Sequence, residues 1–314
     1  MGGRSGMDGG EAGGGREAFI ERRRARESEL AGRPSGFVGN ATFHAFSSAA
    51  GLALRVVGLA GAGHRNALSV RVEEIVLDFP GLPPAFDGYR ILHLSDMHFD
   101  RLPRLSEELA RTLAGTEVDL VAVTGDFMDR QSTPAEVIAG HAARVLGSVT
   151  ARDGVFATLG NHDAVRLLPA LSAIGIRMLL NETATVRRGD ERIRLTGIDD
   201  VHSFATPHAF RALADSGDGF KIALVHSPEA ASEAERAGFR LYLAGHTHGG
   251  QLCLPGGRPL FTGIRRPHRK LCAGLWRVGE MTGYTSRGAG VTKLPFRFNC
   301  PGEATLFVLR VLSE

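Results

Sequence analysis

One segment decides how this chain of 314 residues is interpreted: Gly245-His246-Thr247-His248-Gly249-Gly250-Gln251. It follows residues 239–244, an apolar-leaning run with β-type side chains that predicts a buried strand. In extended backbone the two histidines lie on one side of the chain, and the glycines permit a sharp turn close to a bound group. Neutral imidazole binds Zn, Mn and Fe, so the segment predicts a metal-binding loop. Two polar residues in a glycine-rich turn are the alternative interpretation of the segment taken alone.

The same arrangement recurs four more times, because other apolar runs also lead into potential metal ligands. These runs and ligands are 90–94 before Asp96 and His98, 120–123 before Asp126, 155–159 before Gly160-Asn161-His162-Asp163, and 222–225 before His226. Helix-like stretches lie between them, at residues 105–113, 135–146, 165–174 and 230–237. Alternating strands and helices predict an α/β sheet, and ligands of such sheets bind beyond the carboxyl ends of the strands.

Additional β patterns suggest a second sheet. Residues 70–79 alternate like a strand, residues 183–197 predict two short strands around Gly189-Asp190, and residues 304–312 predict a final strand. We therefore expect an α/β fold in which two sheets pack face to face with helices outside. The folded domain is predicted to span residues 67–314.

Residues 1–66 form a predicted N-terminal extension. Its first 15 residues are glycine-rich and predicted to be disordered, whereas the mixed acids and arginines of 16–30 predict an exposed helix. Residues 46–63 are mostly apolar but interrupted by Arg55, which makes them a marginal transmembrane candidate. A helix lying on an anionic membrane surface and a helix packed on the domain are both consistent with this pattern. Because no signal peptide or twin-arginine pattern is visible, we expect a cytoplasmic protein with peripheral membrane contact as an option.

Composition excludes several classes of protein. The net charge of +3 provides no large basic field, so we expect no nucleic-acid partner. Three widely spaced cysteines form neither a disulfide framework nor a zinc ribbon. Oligomeric state does not follow from these patterns.

Seven residues are candidate metal ligands, and all of them offer oxygen or imidazole nitrogen. They are Asp96, His98, Asp126, Asn161, His226, His246 and His248. A set without thiolate suits Mn, Fe or Zn in a catalytic rather than a structural site. Seven groups exceed the needs of one four-coordinate ion, whereas two divalent ions sharing a bridging carboxylate use them all. Two ions about 3.5–4 Å apart form the usual clamp for displacement at phosphorus.

Other residues near these blocks are candidates for catalysis or substrate binding. His162 follows Asn161, so its side chain points elsewhere and is predicted to protonate the leaving oxygen, with Asp163 orienting the imidazole. A loop histidine bonded to backbone is the alternative. Arg287 is a weaker candidate for binding phosphate, since a solvated surface arginine fits equally well. His202 lies outside the blocks and is predicted to be a surface or structural residue.

Five sequence blocks carry the candidate metal ligands: Asp96-x-His98, Gly125-Asp126, Gly160-Asn161-His162-Asp163, His226 and Gly245-His246-x-His248. In this order they resemble the calcineurin-like metallophosphoesterase superfamily over roughly residues 68–312. The glycine-histidine segment, together with Ser286-Arg287-Gly288 and Cys300-Pro301-Gly302-Glu303, is similar to the bacterial YkuE-type phosphodiesterase branch. In that branch a proline more often stands where this chain has Gly302.

The resemblance implies a four-layer α/β/β/α sandwich with two mixed sheets and a dinuclear metal site. It assigns Asp96, His98, Asp126 and His248 to the first ion. It assigns Asp126, Asn161, His226 and His246 to the second ion, which makes Asp126 the bridge. His162 would serve the leaving group.

We therefore expect a metal-dependent phosphoesterase that hydrolyses a phosphodiester or pyrophosphate bond with water activated by two metals. One alternative is a membrane-associated pyrophosphatase acting on a lipid of the UDP-diacylglucosamine type. An alternative of another class is a non-catalytic binding scaffold with the same fold, although scaffold relatives have eroded ligand sets. A repair nuclease would need a basic surface and a capping domain, and the sequence shows neither.

Overall fold

The computed structural model describes residues 12–32, 58–260 and 262–312. Their α-helices are α1 Ala12–Gly32, α2 Ala60–Leu68, α3 Leu105–Thr112, α4 Ala135–Leu146, α5 Leu168–Ala173, α6 Pro207–Ala214 and α7 Ala231–Arg236. Their strands are β1 Val70–Phe79, β2 Tyr89–Leu94, β3 Thr116–Val118, β4 Leu120–Thr124, β5 Val149–Ala151, β6 Val155–Thr158, β7 Ile176–Met178, β8 Glu182–Arg188, β9 Glu191–Gly197, β10 Phe220–Leu224, β11 Leu241–Ala244, β12 Cys253–Leu254, β13 Arg258–Pro259, β14 Gly274–Val278, β15 Met281–Thr285 and β16 Gly302–Val311.

Two six-stranded sheets contain most of these strands. The first has the order β1-β16-β2-β4-β6-β7 and the second has the order β14-β15-β11-β10-β9-β8. Strands β2, β4, β6 and β7 run parallel, as do β9, β10, β11 and β15, whereas β8 and β14 are antiparallel edge strands. Because parallel strands end at the same edge of a sheet, each sheet collects its strand-end loops on one side.

The side chains of β4 show how the layers are joined. Val121 and Val123 belong to the hydrophobic core beneath helices α3, α4 and α5, whereas Leu120 and Ala122 belong to the core shared with the second sheet. Strand β10 alternates in the same way, since Ala223 contributes to a third core with α6 and α7. Three cores separate four layers, which confirms the expected α/β/β/α sandwich.

Most predicted elements are confirmed with small shifts at their ends. Helix α4 spans residues 135–146 as predicted, and β8 and β9 flank the turn at 189–190. Helix α6 was missed, although Thr206 precedes Pro207 and caps the helix by accepting a hydrogen bond from the Ala209 amide at 3.2 Å. Strands β3, β5 and β7 have three residues each and were also missed, because so few residues carry no readable alternation.

Helix α1 corrects the expectation of an exposed N-terminal helix. Phe19 is 3% exposed and lies in the core beneath the first sheet's helices, while Arg23 is 2% exposed. Of the region predicted to be disordered, residues 12–15 belong to α1, and residues 1–11 lie outside the described residues.

The apolar run 46–63 is described only from Gly58 onwards, so the predictions for its earlier part lie outside the described residues. Its end enters α2, where the Gly63 carbonyl accepts a hydrogen bond from the Arg297 amide at 3.0 Å. Among residues 12–32, 58–260 and 262–312, no helix has the length and apolar character needed to cross a membrane.

The buried guanidinium of Arg297 holds the segment between β15 and β16. It donates to the carbonyls of Arg287, Gly288, Gly290 and Cys300 at 2.6–3.1 Å. Removing the guanidinium would leave several buried carbonyls without a donor, and each such loss costs about 1–3 kcal/mol.

We expect Arg297→Met to lower the free energy of unfolding by roughly 3 kcal/mol or more, measured by urea denaturation. Arg310→Met is the matched control, because Arg310 is exposed on β16 and its loss is expected to cost under about 0.5 kcal/mol. Equal losses for the two variants would contradict this role of Arg297.

Candidate metal centre

The seven predicted ligands follow five strand ends, as the sequence predicts. In the first sheet, β2 leads to Asp96 and His98, β4 leads to Asp126, and β6 leads to Asn161. In the second sheet, β10 leads to His226 and β11 leads to His246 and His248. The His226 imidazole Nδ1 lies 2.7 Å from the Thr124 carbonyl oxygen, which joins the loops after β10 and β4. The ligands therefore meet where the same edges of the two sheets face each other.

The first group of side chains contains Asp96, His98 and His248, all buried. The Nε2 atoms of His98 and His248 are 3.2 Å apart, and His248 Nε2 is 3.3 Å from Asp96 Oδ1. His98 Nε2 is also 3.4 Å from Asp126 Oδ2, so Asp126 adjoins this group.

The second group contains Asn161, His226 and His246, and Asp126 adjoins it as well. Asp126 Oδ2 is 3.2 Å from His226 Nε2. The Asn161 carbonyl oxygen Oδ1 lies 3.0 Å from His226 Nε2 and 2.8 Å from His246 Nδ1. The structure thus brings all seven residues together, with Asp126 Oδ2 within 3.4 Å of a histidine of each group.

These separations fit residues that surround metal ions. Ligands about 2.0–2.2 Å from one ion lie roughly 3.0–3.5 Å from each other. The nitrogens of His98 and His248 approach each other at 3.2 Å beside two carboxylates, which is this spacing. The outer nitrogen of His98 lies 3.0 Å from the Met128 carbonyl and fixes the ring with Nε2 facing inward.

Backbone strain concentrates at the same residues. Five of the seven have positive φ without being glycine, namely Asp96 (53°), His98 (40°), Asp126 (56°), His246 (72°) and His248 (52°). This region of backbone space is sparsely used by residues with a Cβ, and its use marks functional sites held by the surrounding fold.

Two glycines allow the loops to approach closely enough. A Cβ on Gly245 would lie 1.9 Å from Ser95 Oγ and 2.2 Å from Asp96 Oδ2. A Cβ on Gly160 would lie 2.1 Å from Asp126 Oδ1. The glycine before the ligand is therefore required at these positions, because any side chain would push two ligand loops apart.

Burial and neighbouring charge set the protonation of the group. Burial lowers the pKa of His246 and of His248 well below the usual value, which keeps both imidazoles neutral and able to bind a metal. Burial raises the pKa of Asp126, but His226 and the other nearby histidines outweigh it and hold this pKa well below the usual range. Asp126 is therefore an anion in the centre of the site.

His162 lies at the rim of the centre. Its ring is 5.1 Å from that of His98, and its Nδ1 lies 3.2 Å from the Asp129 carbonyl oxygen. Its backbone amide donates to Asp126 Oδ1 at 2.9 Å. The side chain keeps 29% of its surface exposed, so it is accessible to a substrate.

Asp163 corrects a prediction. Its buried carboxylate accepts hydrogen bonds from the backbone amides of Asp126, Phe127, Met128 and Gly160 at 2.7–3.2 Å. These four amides take up its oxygens, so the predicted contact with the His162 imidazole is wrong. Asp163 instead fixes the loop that carries Asp126, and the Asp129 carbonyl contacts His162.

Arg287 is held by a carboxylate of its own chain. Its Nη1 donates to Glu303 Oε2 at 2.7 Å, and its backbone amide donates to Glu303 Oε1 at 2.9 Å. The side chain keeps 37% of its surface exposed. Its contact with a substrate phosphate stays a prediction.

His202, predicted to be a surface or structural residue, lies beside the candidate site. Its ring centroid lies 4.4 Å from that of His246, and its Nδ1 lies 2.9 Å from Glu229 Oε2. The sequence contains a signal for this position near the site. Strand β9 runs parallel to β10, so the segment after β9 starts at the same edge of the sheet, where ligands are expected to gather.

Comparison with known proteins supports a shared family. The calcineurin-like phosphoesterase family model matches residues 89–250. The uncharacterized metallophosphoesterase YkuE of Bacillus subtilis is 31% identical over 73% of this chain and 82% of its own length. YkoQ of the same organism is 29% identical over 77% of this chain and 91% of its own length. The phosphodiesterase YaeI of Escherichia coli is 28% identical over 70% of this chain and 82% of its own length.

Asp126→Asn is expected to weaken metal binding at least about ten-fold, because it removes the charge shared by the two groups. Metal content after dialysis against limiting Mn, measured by mass spectrometry, checks this. Asp190→Asn in the exposed turn between β8 and β9 is the control and is expected to keep the metal content unchanged. Full occupancy in the Asp126 variant would refute the assignment.

Proposed function

Since this chain belongs to the calcineurin-like phosphoesterase family, whose members are hydrolases acting on phosphoester bonds, we propose that it hydrolyses a phosphodiester or pyrophosphate bond with two divalent metal ions. The observation that carries the proposal is the convergence of six other oxygen- and nitrogen-donating residues around one shared carboxylate, Asp126. A carboxylate within reach of two ligand groups could be shared by a pair of ions, and paired ions act together in displacement at phosphorus.

In this proposal Asp96, His98 and His248 would hold one ion, Asn161, His226 and His246 would hold the other, and Asp126 would serve both. Mn, Fe and Zn all suit these ligands. The bound ions would activate water and neutralise the charge that develops on the phosphoryl oxygens.

His162 is the group we propose to protonate the leaving oxygen. It is part-exposed beside the ligand group, and its main chain is anchored on Asp126, so its ring stays at a fixed place on the rim. Its Nδ1 faces the Asp129 carbonyl, which leaves Nε2 for the substrate.

One observation supports a diester rather than a monoester. The relative YaeI is named a phosphodiesterase. Arg287, fixed by Glu303, also packs against the glycine-histidine segment, since a Cβ on Gly249 would lie 2.7 Å from Arg287 Cγ. We propose that its guanidinium contacts the phosphate or the group beyond it.

We expect bis-p-nitrophenyl phosphate to be hydrolysed in the presence of Mn with a higher kcat/KM than p-nitrophenyl phosphate. The activity should be lost in Asp126→Asn and kept in Asp190→Asn. Release of p-nitrophenolate measures both reactions. Absence of bound metal and of turnover with any divalent ion would reject the enzyme and favour the scaffold alternative.

We expect His162→Ala to lower kcat about 10²–10⁴-fold while metal content stays unchanged, because proton donation contributes this much. The loss should be larger for a phenyl than for a p-nitrophenyl leaving group, since phenolate needs the proton more. His208→Ala, at an exposed position, is the control. Equal losses for both leaving groups would contradict the role of an acid.

A further inference from the structure

One face of helix α1 lies against the loop that carries Asn161 and His162. Phe19, Arg23 and Glu27 follow each other at intervals of four residues, so they form one stripe along the helix. Phe19 enters the hydrophobic core, and the two charged residues beyond it contact the loop after β6. This stripe joins the N-terminal helix to the back of the candidate metal centre.

Arg23 makes the closest connection. Its Nη2 donates to the carbonyl oxygens of Gly160 at 2.6 Å and of Asp163 at 2.8 Å. These two carbonyls bracket Asn161 and His162 in the sequence. The guanidinium therefore holds both ends of the short segment that carries a proposed metal ligand and the proposed acid.

The rest of the Arg23 side chain is fully enclosed. Its Nη1 donates to Asp199 Oδ1, and its guanidinium carbon lies 3.5 Å from the centre of the Phe204 ring. A buried cation is costly unless it is paired and its donors are satisfied, and here each of these conditions is met. The geometry of the segment behind Asn161 is thus set by a planar, bidentate donor that no other residue type supplies.

Glu27 extends the contact by one helical turn. Its Oε1 accepts a hydrogen bond from the Val165 amide at 2.9 Å and from Arg23 Nε at 3.3 Å. The loop is consequently held from behind at three backbone positions, while its front side faces Asp126 and the histidines.

Helix α1 lies outside residues 89–250, the part of the chain matched by the family model. We propose that Arg23 is a positioning residue that holds the Asn161–His162 segment in the conformation needed for catalysis. Helix α1 would then contribute to the active site. The inference rests on the proposed function. Losing an outer partner that orients a ligand costs about 10–100-fold in metal affinity or activity, and we expect this magnitude here.

The test compares Arg23→Met and Arg23→Lys with Arg24→Met in the full chain. Arg24 is the next residue of the same helix and is exposed, so its variant controls for loss of charge on α1. The kinetic quantities are kcat and KM for bis-p-nitrophenyl phosphate at saturating Mn, the Mn concentration for half-maximal activity, and kcat for an unactivated phenyl diester. Mn content after dialysis against limiting Mn and the free energy of unfolding in urea are measured on the same variants.

We expect Arg23→Met to lower kcat about 10–100-fold, to raise the Mn requirement, and to lose more on the phenyl ester than on the nitrophenyl ester. Arg23→Lys keeps the positive charge but loses the planar, bidentate guanidinium, so its loss of kcat should be intermediate. This variant also tests the inference if Arg23→Met does not fold. Arg24→Met should match the wild type.

Lower unfolding stability in the Arg23 variants, with wild-type kcat, Mn requirement and leaving-group sensitivity, would overturn the inference and leave Arg23 a purely structural residue. Absence of activity in the wild type would instead overturn the proposed function, and the inference would fall with it.

Discussion

The candidate site depends on buried carboxylates that accept hydrogen bonds from backbone amides of neighbouring loops. Asp163, after β6, receives the amides of three consecutive residues in the loop after β4. Asp96, after β2, receives the His246 amide from the loop after β11 at 3.0 Å. Each carboxylate thereby fixes the main chain of another ligand loop, and the two sheets are joined at the point where the ligands meet.

This cross-linking explains how the strained backbone persists. Residues with a Cβ and positive φ cost about 1–3 kcal/mol each, and five of them lie among the seven candidate ligands. Buried hydrogen bonds to charged acceptors offset such costs, because each contributes about 1.5–3 kcal/mol. These hydrogen bonds fix the loops to each other, so the candidate ligand side chains are held close together by the protein itself.

Much of this arrangement could be predicted from sequence, since strand ends have a local signature. An apolar run followed by Gly-Asp or Gly-Asn-His-Asp is visible in a few residues, and the common edge of parallel strands then brings distant blocks together. Asp163 was misassigned because it adjoins His162 in sequence, although adjacent residues in extended backbone point in opposite directions. Arg23 was unpredictable for another reason: it acts across 137 positions, and a charged residue on a helix is exposed by default. Such contacts are decided by packing, which local patterns do not encode.

The place of β16 in the first sheet has a consequence for the order of folding. This last strand lies between β1 and β2, and it pairs with β1 along ten residues from Val70–Gly302 to Phe79–Val311. During synthesis the first two strands of the domain emerge early but have no partner between them until residue 311 has been made. The first sheet is therefore completed across a very long loop, a slow and entropically costly step. Strand β1 therefore joins the first sheet only after translation has reached β16, long after its own residues have been made.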